Sequence, residues 1–446
     1  MALNRQTHPG VLERDPVTFE VVNSALHAIC AEMKSIIMRT SFSPLLSLSA
    51  DLSCALLDEQ CNVIAQGVDI PVHLGAARYT GLAALQRYPL DTWREGDGVL
   101  LNDPYEGGTH LPDMSLLTPI FSAGAFVGFV LSRIHWPDIG GIAAGSSSVS
   151  DEIIKEGLRI PPIKILEQGA IREDVLRLIL ANVRVPEDRK GDFHAALAGH
   201  ARATDRVIQL CERYGVSIIT GIMADTQVYS RRLVEAKLRD LPDTDVTREE
   251  TLDGDGIDPD AAPRVRVNIR KTGVKLVFDF TGSSPCVAGP INAPLPVTAS
   301  AVFYTVLSSW AAIFHQTQVC MPVSKSLRLL TLSSTPATRI PSSQQTPKRP
   351  TASRTFYWAL WVRPIHNWPA QEATGPHACT PWAELFLQAA GRLYITRPSA
   401  AAWVLPPMGP DSTGIACIWA IRCTFRSKAW KPACLCVSSI TKSFVN

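Results

Sequence analysis

Residues 102 to 115, "NDPYEGGTHLPDMS", crowd an Asn, two Asp, a Glu, a His and two adjacent glycines into fourteen positions. Their one short apolar step, Leu111-Pro112, is too little to hold the segment as core, so it is expected to hold something else. His110 and Asp113 are three residues apart, and His135 follows Asp113 by 22 residues in "SRIHWPDIGG". Imidazole and carboxylate together suit Zn, Mn or Fe, and two His with one carboxylate is a common open metal site. Gly107 and Gly108 let the backbone bend so that both side chains of the H-x-x-D step point one way. The Gly-rich "DIGGIAAGSSS" at 138 to 148 is a source of backbone N–H groups for an anion or oxyanion. On spacing alone a plainer reading stands beside this one: His110 caps a turn and His135 is a satisfied strand-end histidine. His73, in "DIPVHLGAA", is a polar residue in apolar context, and by itself reads as a core histidine more readily than as a catalyst. No G-x-x-x-x-G-K-[ST] occurs, so no P-loop nucleotide site is visible. Cys54 and Cys61 are seven apart with no C-x-x-C partner, so the thiols show no metal spacing.

These residues need elements to place them. Asp15-Pro16 is a helix start, a capping acceptor followed by Pro in the first turn. In the segment that follows, Val22, Leu26, Ile29, Met33 and Ile36-Ile37 fall on one face. "DLSCALLDEQCNVIAQG" predicts two strands joined by a turn around Asp58-Glu59. "GDGVLLNDP" and "FVGFVLSRIHW" predict further strands, each running into polar residues at its end. Residues 170 to 240 read as mostly helical, and "RVRVNIRKTGVKLVFDFTG" alternates with period two around a turn at Lys271-Thr272-Gly273. The fold class is α+β (mixed α/β). Its expected parts are an N-terminal catalytic-type domain at 1–170, a helical segment at 171–245 and a β-rich segment at 246–311. A tail at 312–446 follows.

The bounds are those of an ordinary enzyme. With 446 residues the chain has room for two or three domains. A formal net charge of +2 gives no global field for nucleic acid or an acidic membrane. "MALNRQTHPG" lacks the apolar run of a signal peptide, and "PIFSAGAFVGFVLSRIHW" is too broken to span a bilayer. Eleven Cys without regular spacing do not form a disulfide framework. The expectation is a soluble cytoplasmic protein with no nucleic-acid or membrane partner.

Six segments, read in order, resemble the hydantoinase B/oxoprolinase family: "FEVVNSALHAICAEM", "DLSCALLD", "AQGVDIPVHLGA", "LNDPYEGGTHLPDM", "IHWPDIGG" and "DFTGSSPCVAGPINAPL". The resemblance runs from about Asp15 to Trp310. It implies a hydrolase of the N-methylhydantoinase and 5-oxoprolinase kind, with the acetone carboxylase large subunit as a relative. It also implies an ATP-binding partner subunit of the hydantoinase A type. The metal of the carboxylase branch is held by the His and Asp of the H-x-x-D segment and a later His, which match His110, Asp113 and His135. One departure stands out: the family pattern carries Glu shortly before the "DFSCALFD"-like strand, and Leu48 stands there.

What the resemblance implies chemically is ATP-driven opening of a cyclic amide such as hydantoin, N-methylhydantoin or 5-oxoproline. The ring amide resists hydrolysis, and phosphorylation of its carbonyl oxygen, on the partner, makes an electrophile with a good leaving group. This subunit would then polarise and open the ring with help from a divalent metal (Mn, Zn or Fe). His73 is the candidate proton carrier, and Asp103, with Asn102, is expected to shape the catalytic site. The alternatives are an acetone-carboxylase-like subunit, whose greater length argues against it, and an inactive truncated remnant of the family.

The composition breaks near Trp310. Of 41 acidic residues only Glu372, Glu384 and Asp411 lie beyond it, whereas seven of ten Trp and six of eleven Cys do. A frameshift accounts for this. Back-translated from the third base of each codon, Cys417 to Lys431 allows His-Met-Gly-Asn-Thr-Leu-His-Ile-Pro-Val-Glu-Ser-Leu-Glu, like the family's H-M-x-N-T-x-x-x-P-V-E-x-L-E. The same offset from Tyr394 allows Tyr-Tyr-Ala-Thr-Ile-Gly-Gly-Gly, and from Ala312 it allows Asp-Ile-Pro-Pro-Asn-Ala-Gly, both family-like. Three matches in one frame and in family order point to loss of one base near codons 310 to 312, or to an equivalent sequencing error. Residues after about 312 are then an out-of-frame tail, expected to be disordered or poorly packed. Resequencing the locus should restore the family motifs in a single continuous frame; an intact frame encoding this tail would refute the frameshift.

Overall fold

In the computed structural model, residues 10–145, 150–309 and 327–330 are described. The expectations for the tail, apart from a short strand at Leu327–Leu330, lie outside the described residues. After a single turn, α1 (Val11–Arg14), the Asp15 side chain accepts the Thr18 N–H at 3.0 Å. Pro16 opens α2 (Pro16–Thr40), as the sequence predicts. Phe19, Val22, Leu26, Ile29, Met33 and Ile37 recur at helical spacing, and all are buried. Among the described residues α2 has the length and composition of a membrane span. Here its apolar face packs on β1 (Leu52–Leu57), β2 (Val63–Gln66) and α8 (Pro186–Tyr214).

Strands form in the predicted stretches 51–67, 96–104 and 126–136, and others form where none was predicted. α3 (Pro44–Ser47) leads into β1, and β1 turns into β2 through Asp58, whose side chain accepts the N–H groups of Gln60 and Asn62. α4 (Pro71–Leu74) and α5 (Ala76–Arg87) come next, then β3 (Gly98–Leu101), β4 (Asp113–Ser122) and β5 (Ala125–His135). α6 (Ile153–Glu156), β6 (Ile163–Glu167), β7 (Ala170–Ile171) and α7 (Glu173–Leu180) lead to α8 and α9 (Val216–Arg239). Strands β1 to β7 form one antiparallel sheet in the order β2-β1-β5-β4-β3-β6-β7. A second sheet, order β11-β10-β9-β8, holds β8 (Thr244–Thr251), β9 (Arg264–Thr272), β10 (Lys275–Asp279) and β11 (Leu327–Leu330). β9 and β10 are the predicted hairpin, with its turn at the expected place. α10 (Leu295–Ser309) packs on α4 and α5. The protein is a mixed helix-and-sheet fold.

The large sheet has two apolar faces. Leu56, Leu116, Val130 and Ile134 meet α2, α8 and α9 on one. Leu57, Val99, Leu117, Phe129 and Leu131 gather with Trp93 and α5 on the other. The β4–β5 hairpin is central, and its alternating side chains feed both cores.

One polar contact pins α8 to this hairpin. His200 bridges Thr118 Oγ1 (2.7 Å, Nδ1) and Ser132 Oγ (2.8 Å, Nε2), and all three are buried. Burial pushes the imidazole pKa down to about 3, so His200 folds neutral. An unfolded histidine titrates near 6.5, so between roughly pH 6.5 and 3 the unfolded chain binds the extra proton, and stability falls with pH. His200→Gln should flatten the acid loss of stability in that window by up to about 1.4 kcal/mol per pH unit, read from denaturation midpoints across pH. Parallel curves for the two proteins would contradict a neutral buried His200.

Candidate metal centre

Asp113 and His135 are opposed partners at the open end of the β4–β5 hairpin. Pairing of β1 with β5 sets Ser53 opposite Arg133, one pleat further in. Side chains two apart on a strand share a face, so Asp113, Ser115, Arg133, His135 and Ser53 line the side that carries the Trp93 core. His110 arrives from the loop between β3 and β4, and His73 from α4.

Asp113 is the centre of the arrangement. His110 Nε2 lies 2.8 Å and His135 Nδ1 3.0 Å from Oδ1. His73 Nε2 is 3.1 Å from Oδ2, which also accepts the Thr109 hydroxyl at 2.5 Å. Behind His73, the Ser53 hydroxyl meets Nδ1 at 2.6 Å. All four ionisable groups are buried. Burial alone would raise the Asp113 carboxyl; the charge of His110 and His73, with the close approach of His110 and His135, outweighs it. The group is held well below the usual carboxylate range.

His110, Asp113 and His135 each offer a ligand atom, and these atoms lie within 4.8 Å of one another. A tetrahedral centre with bonds of about 2.1 Å spaces its ligands about 3.4 Å apart. Two imidazole nitrogens and a carboxylate oxygen at these separations fit a divalent transition metal. His73 meets the same carboxylate at its other oxygen.

The polar stretch that opens the site is itself buried for most of its length, against the expectation that it could not be core. The reason is that its polar groups are satisfied. Asn102 donates to the carbonyls of Leu111 (2.7 Å) and Leu158 (2.9 Å) and accepts the Ile160 N–H at 2.7 Å. This one amide ties both ends of the loop to the segment before β6. Asp103 accepts the Tyr105 N–H at 3.0 Å and faces Arg159 at 3.1 Å, so these contacts brace the loop. Gly107 has φ +92°, and a Cβ on Gly108 would lie 2.2 Å from the Asn102 carbonyl oxygen. The glycine pair is therefore needed for close approach. In the Gly-rich segment the N–H groups of Gly140, Ile142 and Gly145 are donated to Asp138, Lys155 and Pro137. Leu48 is 81% exposed at the end of α3, just before Asp51, whose carbonyl accepts the His135 N–H.

Sequence reasoning passed over Arg133, Thr80, Ser53 and Thr109. Arg133 donates from Nε to Ser115 Oγ at 3.0 Å and from Nη2 to Thr80 Oγ1 and the Gly107 carbonyl (3.5 Å). Its signal was the period of two back from His135, which puts the two side chains on one face.

This fold, with a carboxylate encircled by histidines at a hairpin end, sits in a chain whose residues 15–323 match the profile of the hydantoinase B/oxoprolinase family, and the chain belongs to that family. It is 36% identical to the caprolactamase subunit beta of Pseudomonas jessenii over 230 residues, 51% of this chain and 39% of that one. It is 33% identical over 300 residues to an uncharacterized protein of Methanocaldococcus jannaschii, 66% of this chain and 52% of that one. The crystal structure of the ATP-dependent caprolactamase from Pseudomonas jessenii superposes with a TM-score of 0.63 at 27% identity, over 76% of this chain and 56% of that one. The chain thus spans about half the length, or less, of these curated relatives.

The loop's dependence on one amide is testable. Asn102→Ala strips a buried N–H and two carbonyls of their partners and should cost about 2–4 kcal/mol of stability in chemical denaturation. A change under about 0.5 kcal/mol would show that the loop is held otherwise.

Proposed function

We propose that this chain is the ring-opening subunit of an ATP-dependent cyclic amidohydrolase. It would use a divalent metal held by His110, Asp113 and His135 and act with a hydantoinase A-type partner that binds ATP. The observation that carries this is the buried convergence of three metal-competent donors, His110 and Asp113 of the H-x-x-D segment and His135 of β5, in a chain of this family. The metal, when bound, supplies Lewis acidity toward a carbonyl oxygen and lowers the pKa of water. The protein's residues do the rest. Asp113 orients the imidazoles and keeps its negative charge. His73, backed by Ser53, holds or passes a proton at Nε2. The cluster is buried, which would limit the access of bulk water to it. A chemically stable lactam or hydantoin needs activation, and on this reading the partner subunit would supply it from ATP. The relative's names, subunit beta and ATP-dependent caprolactamase, agree with that division.

A second reading rests on Leu48 and on the composition break after Trp310: a chain that keeps the scaffold and the metal site but has lost turnover.

Elemental analysis tests the first part. The purified chain should carry one transition metal, and His110→Ala should lose it while keeping its fold. Co-purified with the product of a neighbouring gene, the pair should turn over ATP in response to hydantoin, 5-oxoproline or a lactam, whereas the chain alone should not. Robust ATPase activity of the isolated chain, or metal retained by His110→Ala, would contradict the proposal.

A further inference from the structure

We propose that Arg133 is the oxyanion-binding residue of this site, with its Nη1 group aimed at a phosphoryl or carboxylate oxygen of a bound ligand. The relevance to ring opening rests on the function proposed above; the binding itself does not.

The argument starts from an unbalanced charge. Arg133 is 2% exposed, and all the partners it has are neutral: the hydroxyls of Ser115 and Thr80 and the Gly107 carbonyl. Nη1 is buried and has no hydrogen-bond partner. Among the described residues no carboxylate comes within ion-pair distance of the guanidinium. Asp113 acts on it only from further away, and that carboxylate is already shared by three imidazoles. An arginine guanidinium keeps its proton in proteins, so the charge is there to be met.

Taking a cation out of water is costly unless a counter-charge meets it, and a buried charge with neutral partners alone is uncommon. The same protein shows the ordinary solution elsewhere. Buried Arg189 has Asp192 at 3.3 Å and Asp188 at 3.8 Å. Arg133 has no such partner, yet three neutral groups hold its plane fixed. Nε and Nη2 are spent on orientation, and Nη1, with two N–H bonds, is left. That is the arrangement of a group whose counter-charge arrives with the ligand.

Position narrows the ligand. Arg133 precedes His135 by two residues on β5, so its side chain stands about 7 Å along the strand from that of His135, on the same face. Gly107, which it contacts, belongs to the loop that delivers His110. An anion held by Nη1 would therefore lie on the sheet face that carries His135 and Asp113. In the proposed reaction two species carry such oxygens, the phosphorylated amide before ring opening and the carboxylate after it. Both share the oxyanion that a guanidinium recognises.

The test is titration of the full chain with inorganic phosphate and, separately, with acetate, against chloride at equal ionic strength. Binding is followed by calorimetry and by the melting temperature. The wild-type chain should bind at least one of the two anions. R133Q should weaken that binding tenfold or more, and R133K, which keeps the charge but not the fork, should fall between. Preference for phosphate would assign the phosphoryl oxygen, and preference for acetate the carboxylate. R133K carries the comparison should R133Q fail to fold, as judged by circular dichroism. Equal affinity in the wild type and a folded variant would overturn the proposal, as would neither anion binding the wild type by about 50 mM, a limit weaker than most specific sites. Loss of metal on His110→Ala is measured apart from this. Metal binding without Arg133-dependent anion binding would sink this inference alone, and the reverse would sink the metal reading alone.

Discussion

The carboxylate of Asp113, fully buried at the start of β4, is the group on which the rest of the site depends. A lone carboxylate at that depth would be forced toward its neutral form. Three imidazoles and a hydroxyl around it reverse that, and in doing so they fix their own orientations. The three imidazoles come from three different elements. His73 rides on α4, His110 on the β3–β4 loop and His135 on β5, so the carboxylate works only if all three elements dock correctly. The site is thus a product of the tertiary fold, although two of its members are three residues apart.

The packing serves this convergence. Antiparallel pairing sets Asp113 against His135 without any loop, which gives the pair a rigid base. On the far face His200 locks α8 to Thr118 and Ser132, keeping the same hairpin in place from behind. α10 seats α4: the Gly75 N–H donates to Ser300 Oγ at 3.0 Å, and a Cβ there would strike Phe303. The loop that brings His110 has little apolar content, and the Asn102 amide gives it the rigidity that packing supplies elsewhere.

Much of this was legible in the sequence, for identifiable reasons. The cap at Asp15, the period of α2 and the turns at Asp58 and Gly273 are local signals, and local chemistry decides them. The H-x-x-D step could be singled out from its residue types, but its spacing alone left a turn cap as an equal reading, and only the resemblance to the family favoured a metal site. His73 was not assignable from its surroundings, since a histidine among apolar residues looks the same whether it is core or catalyst; only the fold brings it to Asp113. Polarity misled at residues 102 to 115, because burial of polar groups depends on partners distant in sequence, such as Ile160. Arg133 was hidden in an apolar strand. The period of two was there to be read, but the absence of a counter-charge is visible only in three dimensions.

The central claim, that Asp113 gathers a histidine cluster built to hold a metal, is tested most directly by X-ray absorption at the edge of whatever metal purifies with the chain. The account predicts a first shell of nitrogen and oxygen only, at about 2.0–2.2 Å for zinc, with the outer-shell scattering of two imidazoles that disappears in Asp113→Ala. A sulfur shell near 2.3 Å, or an unchanged spectrum in Asp113→Ala, would place the metal elsewhere and contradict the account.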